Sequence, residues 1–419
     1  MELWHVRGGR KLCGGVSVQG SKNAALPILA AAAVTPARIE LSRVPELSDV
    51  EATLRILRLL GCRADFGGGT AVIDSTGMNS CTIPPEWMEK MRSSVFFMGA
   101  LLARFGEAVL SLPGGCRLGR RPIDLHLSAM RQLGAEIEEY GREIRCRAGK
   151  LYGAEITLPF PSVGATENVM LAACGAEGET LLHGAAREPE IVALQDFLRL
   201  LGAEIEGAGT GTIRIGGMRA QRSASFRIPA DRIAAATLAC AAAAAGGTVW
   251  VRDCDPKQIS AVLHFLNLSG CDIIIRENAF RIRSEGRLKT VGEVVTAPYP
   301  GFPTDAQPLL IAALLRSDGL TRIRETIFEN RFRYTAELNK LGADVRLEGQ
   351  TAAVRGVPRL HASLLRAGDL RGGAALILAS LGAEGESLIL DEGYIKRGYE
   401  KLDAELSSLG ACVWRESFD

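Results

Sequence analysis

The sequence predicts an α/β chain built from six copies of one unit, read as strand, helix, strand, helix, strand, strand. Three observations predict it. A phrase ending in Leu-Gly-Ala, or a near variant, recurs at Gly61, Gly134, Gly202, Gly270, Gly342 and Gly410, spaced 73, 68, 68, 72 and 68 residues apart. A fixed period of this length marks a copied structural unit. Each marker glycine follows apolar residues at helical spacing and precedes an alternating run, and a second class of helix, rich in Ala and Gly, recurs beside it. At 419 residues the chain exceeds one simple core, so six units divide most simply into two domains of three. A solenoid of six stacked units is the alternative; small-residue helices buried on all sides suit a closed arrangement better.

In the first unit Ser48 and Glu51 read as a capping box ahead of Val50, Leu54, Leu57 and Leu60. Gly61 then ends the helix by taking the left-handed conformation without a Cβ penalty. The third unit repeats the pattern with Ile191, Leu194, Leu198 and Leu201 before Gly202, and the sixth with Leu402, Leu406 and Leu409 before Gly410. Strands follow with period two, as in Ala203-Glu204-Ile205-Glu206 and Ala411-Cys412-Val413-Trp414. Small-residue helices are expected over 23–33, 94–103, 166–173, 233–245, 306–315 and 371–381. They are apolar around most of their circumference, which predicts burial on all sides. The break between domains is expected near Pro229.

Composition narrows the function. Lys and Arg total 49 against 48 Asp and Glu, so net charge gives no reason to expect nucleic acid or an anionic membrane as a partner. Ten cysteines without a CxxC pair point to a reduced, cytoplasmic setting. The opening MELWHVRGGRKL has no apolar leader, and the Ala-rich stretch 233–247 is too short to span a bilayer. The five histidines lack metal-ligand spacing, and no GxGxxG opens a strand-helix unit, so neither a metal nor a cofactor is expected. The oligomeric state is left open, a monomer being compatible.

Four stretches break the repeat with polar residues in glycine- or proline-rich settings. Gly20-Ser21-Lys22-Asn23 places a lysine at a helix entrance, an anion-binding arrangement. It lacks the Gly-Lys-Ser/Thr order of a phosphate-binding loop. Pro113 to Pro122 holds Cys116 in a glycine-rich loop with Arg117, Arg120 and Arg121; nearby positive charge stabilises a thiolate. Pro122 suits the first turn of a helix, with Arg121 at its positive end. Pro298-Tyr299-Pro300-Gly301-Phe302-Pro303-Thr304-Asp305 is stiffened by three prolines and carries a carboxylate that serves either as helix cap or as base. Arg331, Arg371 and Arg397 are expected at helix entrances. With Lys22, Arg92 and Arg121 they suggest a multiply charged anionic substrate.

Six-fold repetition, Gly-Ser-Lys-Asn, the Gly-Gly-Cys loop ending in Arg-Pro-Ile-Asp-Leu-His, Pro-Ser-Val-Gly-Ala-Thr-Glu-Asn (161–168), Ala-Ala-Arg-Glu-Pro-Glu (185–190) and Pro-Gly-Phe-Pro-Thr-Asp (300–305) together resemble the UDP-N-acetylglucosamine 1-carboxyvinyltransferase family of enolpyruvyl transferases. The resemblance covers essentially the whole chain. It implies a two-domain inside-out α/β barrel, with residues 22–229 as one domain, 1–21 and 230–419 as the other, and the active site in the cleft. It implies transfer of the enolpyruvyl group of phosphoenolpyruvate to the 3′-hydroxyl of UDP-N-acetylglucosamine with loss of phosphate, the first committed step of peptidoglycan synthesis. By the same resemblance Cys116 is the general acid at C3 and the target of fosfomycin, Asp305 takes the hydroxyl proton, and Lys22 and Arg397 complete the catalytic set. Lys22, Asn23, Arg121, Arg331, Arg371 and Arg397 would bind phosphoenolpyruvate. Asn23, Arg92, Arg121, Pro122, Ile123, Asp124, Leu125, Ser162, Val163, Gly164, Asp305 and Ile327 would bind the sugar nucleotide, and Asp369 and Leu370 would lie by the cysteine loop.

The chain departs from the family pattern in two places. Tyr394-Ile395-Lys396-Arg397-Gly398-Tyr399 stands where the family usually has His-Ile-Asp-Arg-Gly-Tyr, and Asp231-Arg232-Ile233-Ala234 where it has Asp-Arg-Ile-Glu. Two other functions stay open at this point: the shikimate-pathway enolpyruvyl transferase, which does not use this cysteine, and a regulatory sugar-nucleotide binder without turnover.

Overall fold

The structure, a computed structural model, describes residues 1–114 and 123–418. Among them the expected module is present with its full strand and helix order. One copy runs strand Glu155–Thr157, helix Val163–Ala173, strand Thr180–His183, helix Pro189–Leu201, strand Ala203–Glu206 and strand Thr212–Met218. Its first two strands pair in parallel, and the last strand runs antiparallel between its two neighbours. The parallel pair needs a crossover, and the small-residue helix supplies it. Five sheets of this kind have four strands; in a sixth, of three strands, the first strand is reduced to the bridge Thr82–Val109.

Three modules borrow a strand from far along the chain. Glu2–Arg7 pairs antiparallel with Glu386–Asp391 and Cys412–Ser417, taking the last-strand place of the sixth module. Leu12–Ser17 takes a first-strand place beside Gly247–Arg252, and Ala224–Arg227 does so beside Arg38–Ser42. Two compact units result, 1–19 with 230–418 and, counting described residues, 20–114 with 123–229.

Each unit has its own core, built on three small-residue helices. In one, Phe97–Phe105 packs on both Lys22–Ala31 and Val163–Ala173. In the other, Arg232–Ala245, Gln307–Leu314 and Leu370–Leu381 pack on one another. Helices lie inside and sheets outside, so each unit is an inside-out α/β barrel. Small residues permit this closeness. A Cβ at Gly99 would overlap the backbone and side-chain oxygens of Asn168. Without one, the Asn168 amide accepts from Gly99 N–H at 2.7 Å and donates to the Val95 carbonyl at 3.0 Å.

All six marker glycines adopt positive φ, between 85° and 107°, just past the amphipathic helices. The capping box does not form. Helix Ser48–Leu59 starts one residue early, Leu47 holds the cap position, and no side chain caps it. The expected helix over 94–103 is divided into a 3₁₀ turn, Arg92–Phe96, and the helix Phe97–Phe105. Among the described residues no helix is long and apolar enough to cross a membrane, and no cluster of His, Cys, Asp and Glu is arranged to hold a metal ion.

Candidate active site

In the unit formed by 1–19 and 230–418, the stiff 298–305 segment delivers Asp305 to two buried arginines. Arg331 Nη2 donates to Asp305 Oδ1 at 2.8 Å, and Arg371 Nε donates to Oδ2 at 3.2 Å. Both arginines are 2% exposed, whereas the Asp305 side chain is 29% exposed. Arg331 also donates to the Thr304 carbonyl at 3.2 and 3.1 Å. Asp305 is not the helix cap; Ala306 occupies that position, without a side-chain bond. Burial pushes the Asp305 carboxyl up, but Arg371 and Arg331, with Arg232, outweigh it and hold the group well below the usual carboxylate range. A lone buried arginine of this kind is more often part of a salt bridge than of a site. Here Arg371 Nη1 is buried with no hydrogen-bond partner, a donor left for a further anion.

The groups that fix this cluster carry no mark in the sequence. Glu325 is fully buried. Its carboxylate accepts from Thr296 Oγ1 at 3.0 Å, Thr304 Oγ1 at 2.9 Å and the N–H groups of Ile327 and Phe328 at 2.8 and 3.2 Å. One side chain thereby ties the Asp305 segment to Ile327. Tyr334 donates to Gln307 Oε1 at 3.0 Å beneath it. Asp369 caps helix Leu370–Leu381, accepting from Arg371 and Gly372 N–H at 3.1 and 3.0 Å, which fixes Leu370 and Arg371 in the first turn. Arg371 and Arg331 do stand at helix entrances, but Arg397 instead ends the 3₁₀ turn Ile395–Arg397.

In the other unit Ser21 caps helix Lys22–Ala31, its Oγ accepting from Ala24 N–H at 3.2 Å, so Lys22 and Asn23 open the helix. Lys22 Nζ lies 2.8 Å from Asp49 Oδ2, and both side chains are nearly buried. Asp49 stands in the first turn of Ser48–Leu59, and nothing in its sequence neighbourhood marks it. Arg92 opens its 3₁₀ turn, and Ile123 sits at the cap of helix Asp124–Gln132, which Asp124 and Leu125 begin. Ser162 caps helix Val163–Ala173, accepting from Ala165 N–H at 3.4 Å. Gly164 lies against His126, whose Cε1 would be 3.2 Å from an added Cβ. Cys116, Arg121 and Pro122, with the expectations placed on them, lie outside the described residues. Among described cysteines, burial pushes the Cys62 thiol up to about 11 and Cys146 and Cys174 to about 12, which leaves them inert at neutral pH.

A family model described as EPSP synthase (3-phosphoshikimate 1-carboxyvinyltransferase) matches residues 6–406. The UDP-N-acetylglucosamine 1-carboxyvinyltransferase 2 of Caldanaerobacter subterraneus is 44% identical, over 99% of this chain and 100% of that protein. The UDP-N-acetylglucosamine 1-carboxyvinyltransferase 1 of Symbiobacterium thermophilum is 46% identical over 99% and 95%. Among solved structures, the enolpyruvyl transferase NikO from Streptomyces tendae superposes with a TM-score of 0.89 at 25% identity, over 100% of this chain and 99% of that one. EPSP synthase from Acinetobacter baumannii gives 0.78 at 19% identity, over 100% of both, a likeness of fold. On its full-length match to these proteins, the chain belongs to the UDP-N-acetylglucosamine 1-carboxyvinyltransferase family of enolpyruvyl transferases.

Proposed function

We propose that the protein transfers the enolpyruvyl group of phosphoenolpyruvate to the 3′-hydroxyl of UDP-N-acetylglucosamine, releasing phosphate, in the cytoplasm. The observation that carries this reading is the Arg331–Asp305–Arg371 cluster: an ionised carboxylate set between two buried cations, one of them with a spare donor. Phosphoenolpyruvate brings a carboxylate and a phosphate. Arg331 and Arg371 suit the carboxylate; Lys22, Arg121 and Arg397 suit the phosphate, and Asn23 supports them. Fixed cations aimed at a reacting anion need no reorganisation when charge shifts.

Arg92, Ile123, Asp124, Leu125, Ser162, Val163, Gly164 and Ile327 are assigned to the sugar nucleotide. In the addition step Asp305 takes the proton of the 3′-hydroxyl, the oxygen bonds to C2, and the Cys116 thiol protonates C3. Loss of phosphate from C2 and of a proton from C3 then restores the double bond. In the resting cluster Asp305 is a weak base because two guanidiniums bind it. An arriving carboxylate shares those cations and returns proton affinity to Asp305 when the acceptor needs it.

The domain assignment, 1–21 with 230–419 against 22–229, draws support from the strand borrowing of Glu2–Arg7 and Leu12–Ser17, although the compact units divide two residues earlier, after Gln19. Identity of 44% to sugar-nucleotide transferases, against 19% to a solved EPSP synthase, supports the sugar nucleotide over shikimate 3-phosphate as acceptor. Phosphate release from phosphoenolpyruvate tests this. Release is expected with UDP-N-acetylglucosamine and not with shikimate 3-phosphate or without acceptor. Release with shikimate 3-phosphate, or none with either, overturns the reading.

A further inference from the structure

Gln19 follows strand Leu12–Ser17, and its side chain is buried. Nε2 donates to the Gly398 carbonyl at 3.0 Å, and Oε1 accepts from Glu400 N–H at 2.8 Å. Only one orientation of the amide satisfies both partners, because a carbonyl needs a donor and an N–H needs an acceptor. The Gln19 carbonyl takes Asp231 N–H at 3.0 Å, just ahead of helix Arg232–Ala245. One residue thus holds two stretches more than two hundred residues away in sequence.

The held stretch begins immediately after Arg397 and contains Tyr399. The Thr237 hydroxyl donates to the Ile233 carbonyl at 2.8 Å, so the Tyr399 hydroxyl, 2.8 Å from it, is the donor of that pair. The Tyr399 ring lies 5.2 Å from the Arg371 guanidinium, and Gly398 packs so tightly on Leu370 that a Cβ would come within 2.7 Å of its Cδ2. A 3₁₀ turn of three residues cannot hold itself in place. Its exit is fixed from outside, by Gln19.

We propose that Gln19 is a positioning residue for the anion-binding arginines: by clamping the backbone at 398 and 400 it sets Arg397 and supports Tyr399 beneath Arg371. This rests on the reading that Arg371 and Arg397 bind phosphoenolpyruvate. The role belongs to one substrate, so it separates from a general effect on folding.

The test uses the full chain with Gln19→Met, which removes both bonds at similar volume, and Gln19→Glu, which keeps the acceptor for Glu400 N–H and loses the donor for Gly398. Steady-state kinetics are read beside calorimetric binding of UDP-N-acetylglucosamine. Gln19→Met is expected to raise KM for phosphoenolpyruvate about tenfold, the loss of two modest buried hydrogen bonds, while sugar-nucleotide affinity changes by less than about twofold. Gln19→Glu, which turns a carboxylate oxygen toward the buried Gly398 carbonyl, is expected to raise that KM at least as much. An unchanged KM for phosphoenolpyruvate, or equal losses for both substrates, overturns the proposal. Should Gln19→Met fail to fold, Tyr399→Phe, which removes one hydroxyl from the same support, decides by the same split. Wild-type activity separates the two failures. An inactive wild type defeats the functional reading, and calorimetric titration with inorganic phosphate then scores the clamp: equal affinity in wild type and Gln19→Glu defeats it. An active wild type with a flat Gln19 series defeats the clamp alone.

Discussion

At Asp305 the proton affinity of one carboxylate is set by two guanidiniums, and removing either changes it in a known direction. Arg371→Gln takes away the stronger of the two cationic neighbours, so the Asp305 carboxyl rises toward the usual range. The acidic limb of kcat/KM for the sugar nucleotide is expected to move to higher pH in that variant. A limb that stays in place would mean that the titrating base lies elsewhere. Much of this site was legible in the sequence because its residues interrupt the repeat: Lys22 beside a glycine, Asp305 after three prolines. Asp49, Glu325 and Gln307 were not legible. Each sits within an ordinary run, and its role comes from a partner distant in sequence, Lys22 for Asp49 and Thr296 and Thr304 for Glu325. Spacing carries no record of such partners.

At the scale of the element, the small-residue helices are the part of the sequence with the least tolerance. Gly99→Ala adds one methyl group at the crossing of Phe97–Phe105 and Val163–Ala173, against Asn168 backbone and amide oxygens. Alanine favours the helix by about 1 kcal/mol, but forcing backbone apart in a packed core costs about 1–3 kcal/mol and also breaks the Gly99–Asn168 bond. A net loss of about 2 kcal/mol in denaturant unfolding is expected; equal or greater stability would show that the crossing can relax. Helix existence was readable from composition and period, and the marker glycines from their spacing. Helix starts were not: Ser48 lost the cap position to Leu47, and Ser94 fell into a 3₁₀ turn, because tertiary contacts decide the first residues of a helix.

For the whole molecule, stability against pH reports on the acidic corner around Glu405. Burial first, then Glu400, Asp231 and Asp403, raise its carboxyl from 4.5 to about 7. The folded state holds this proton more tightly than the unfolded chain. Its contribution is therefore full below about 4.5 and is lost as pH rises through about 7. Glu405→Gln is expected to flatten that part of the stability curve, and an identical slope in the variant would assign it to other groups. The long-range strand borrowing was the least readable feature of the fold. Nothing in Glu2–Arg7, Leu12–Ser17 or Ala224–Arg227 states which distant strand each will join, and the resemblance alone carried the crossover of the N-terminal strand. The proposed transfer makes one bond and breaks one at C2 of phosphoenolpyruvate. Carbon-13 NMR of [2-¹³C]phosphoenolpyruvate incubated with the protein and UDP-N-acetylglucosamine tests it most directly. The expected result is an enol ether carbon bonded to the 3′-oxygen of the sugar, appearing in step with free phosphate; labelled pyruvate with an unchanged sugar nucleotide would rule out enolpyruvyl transfer.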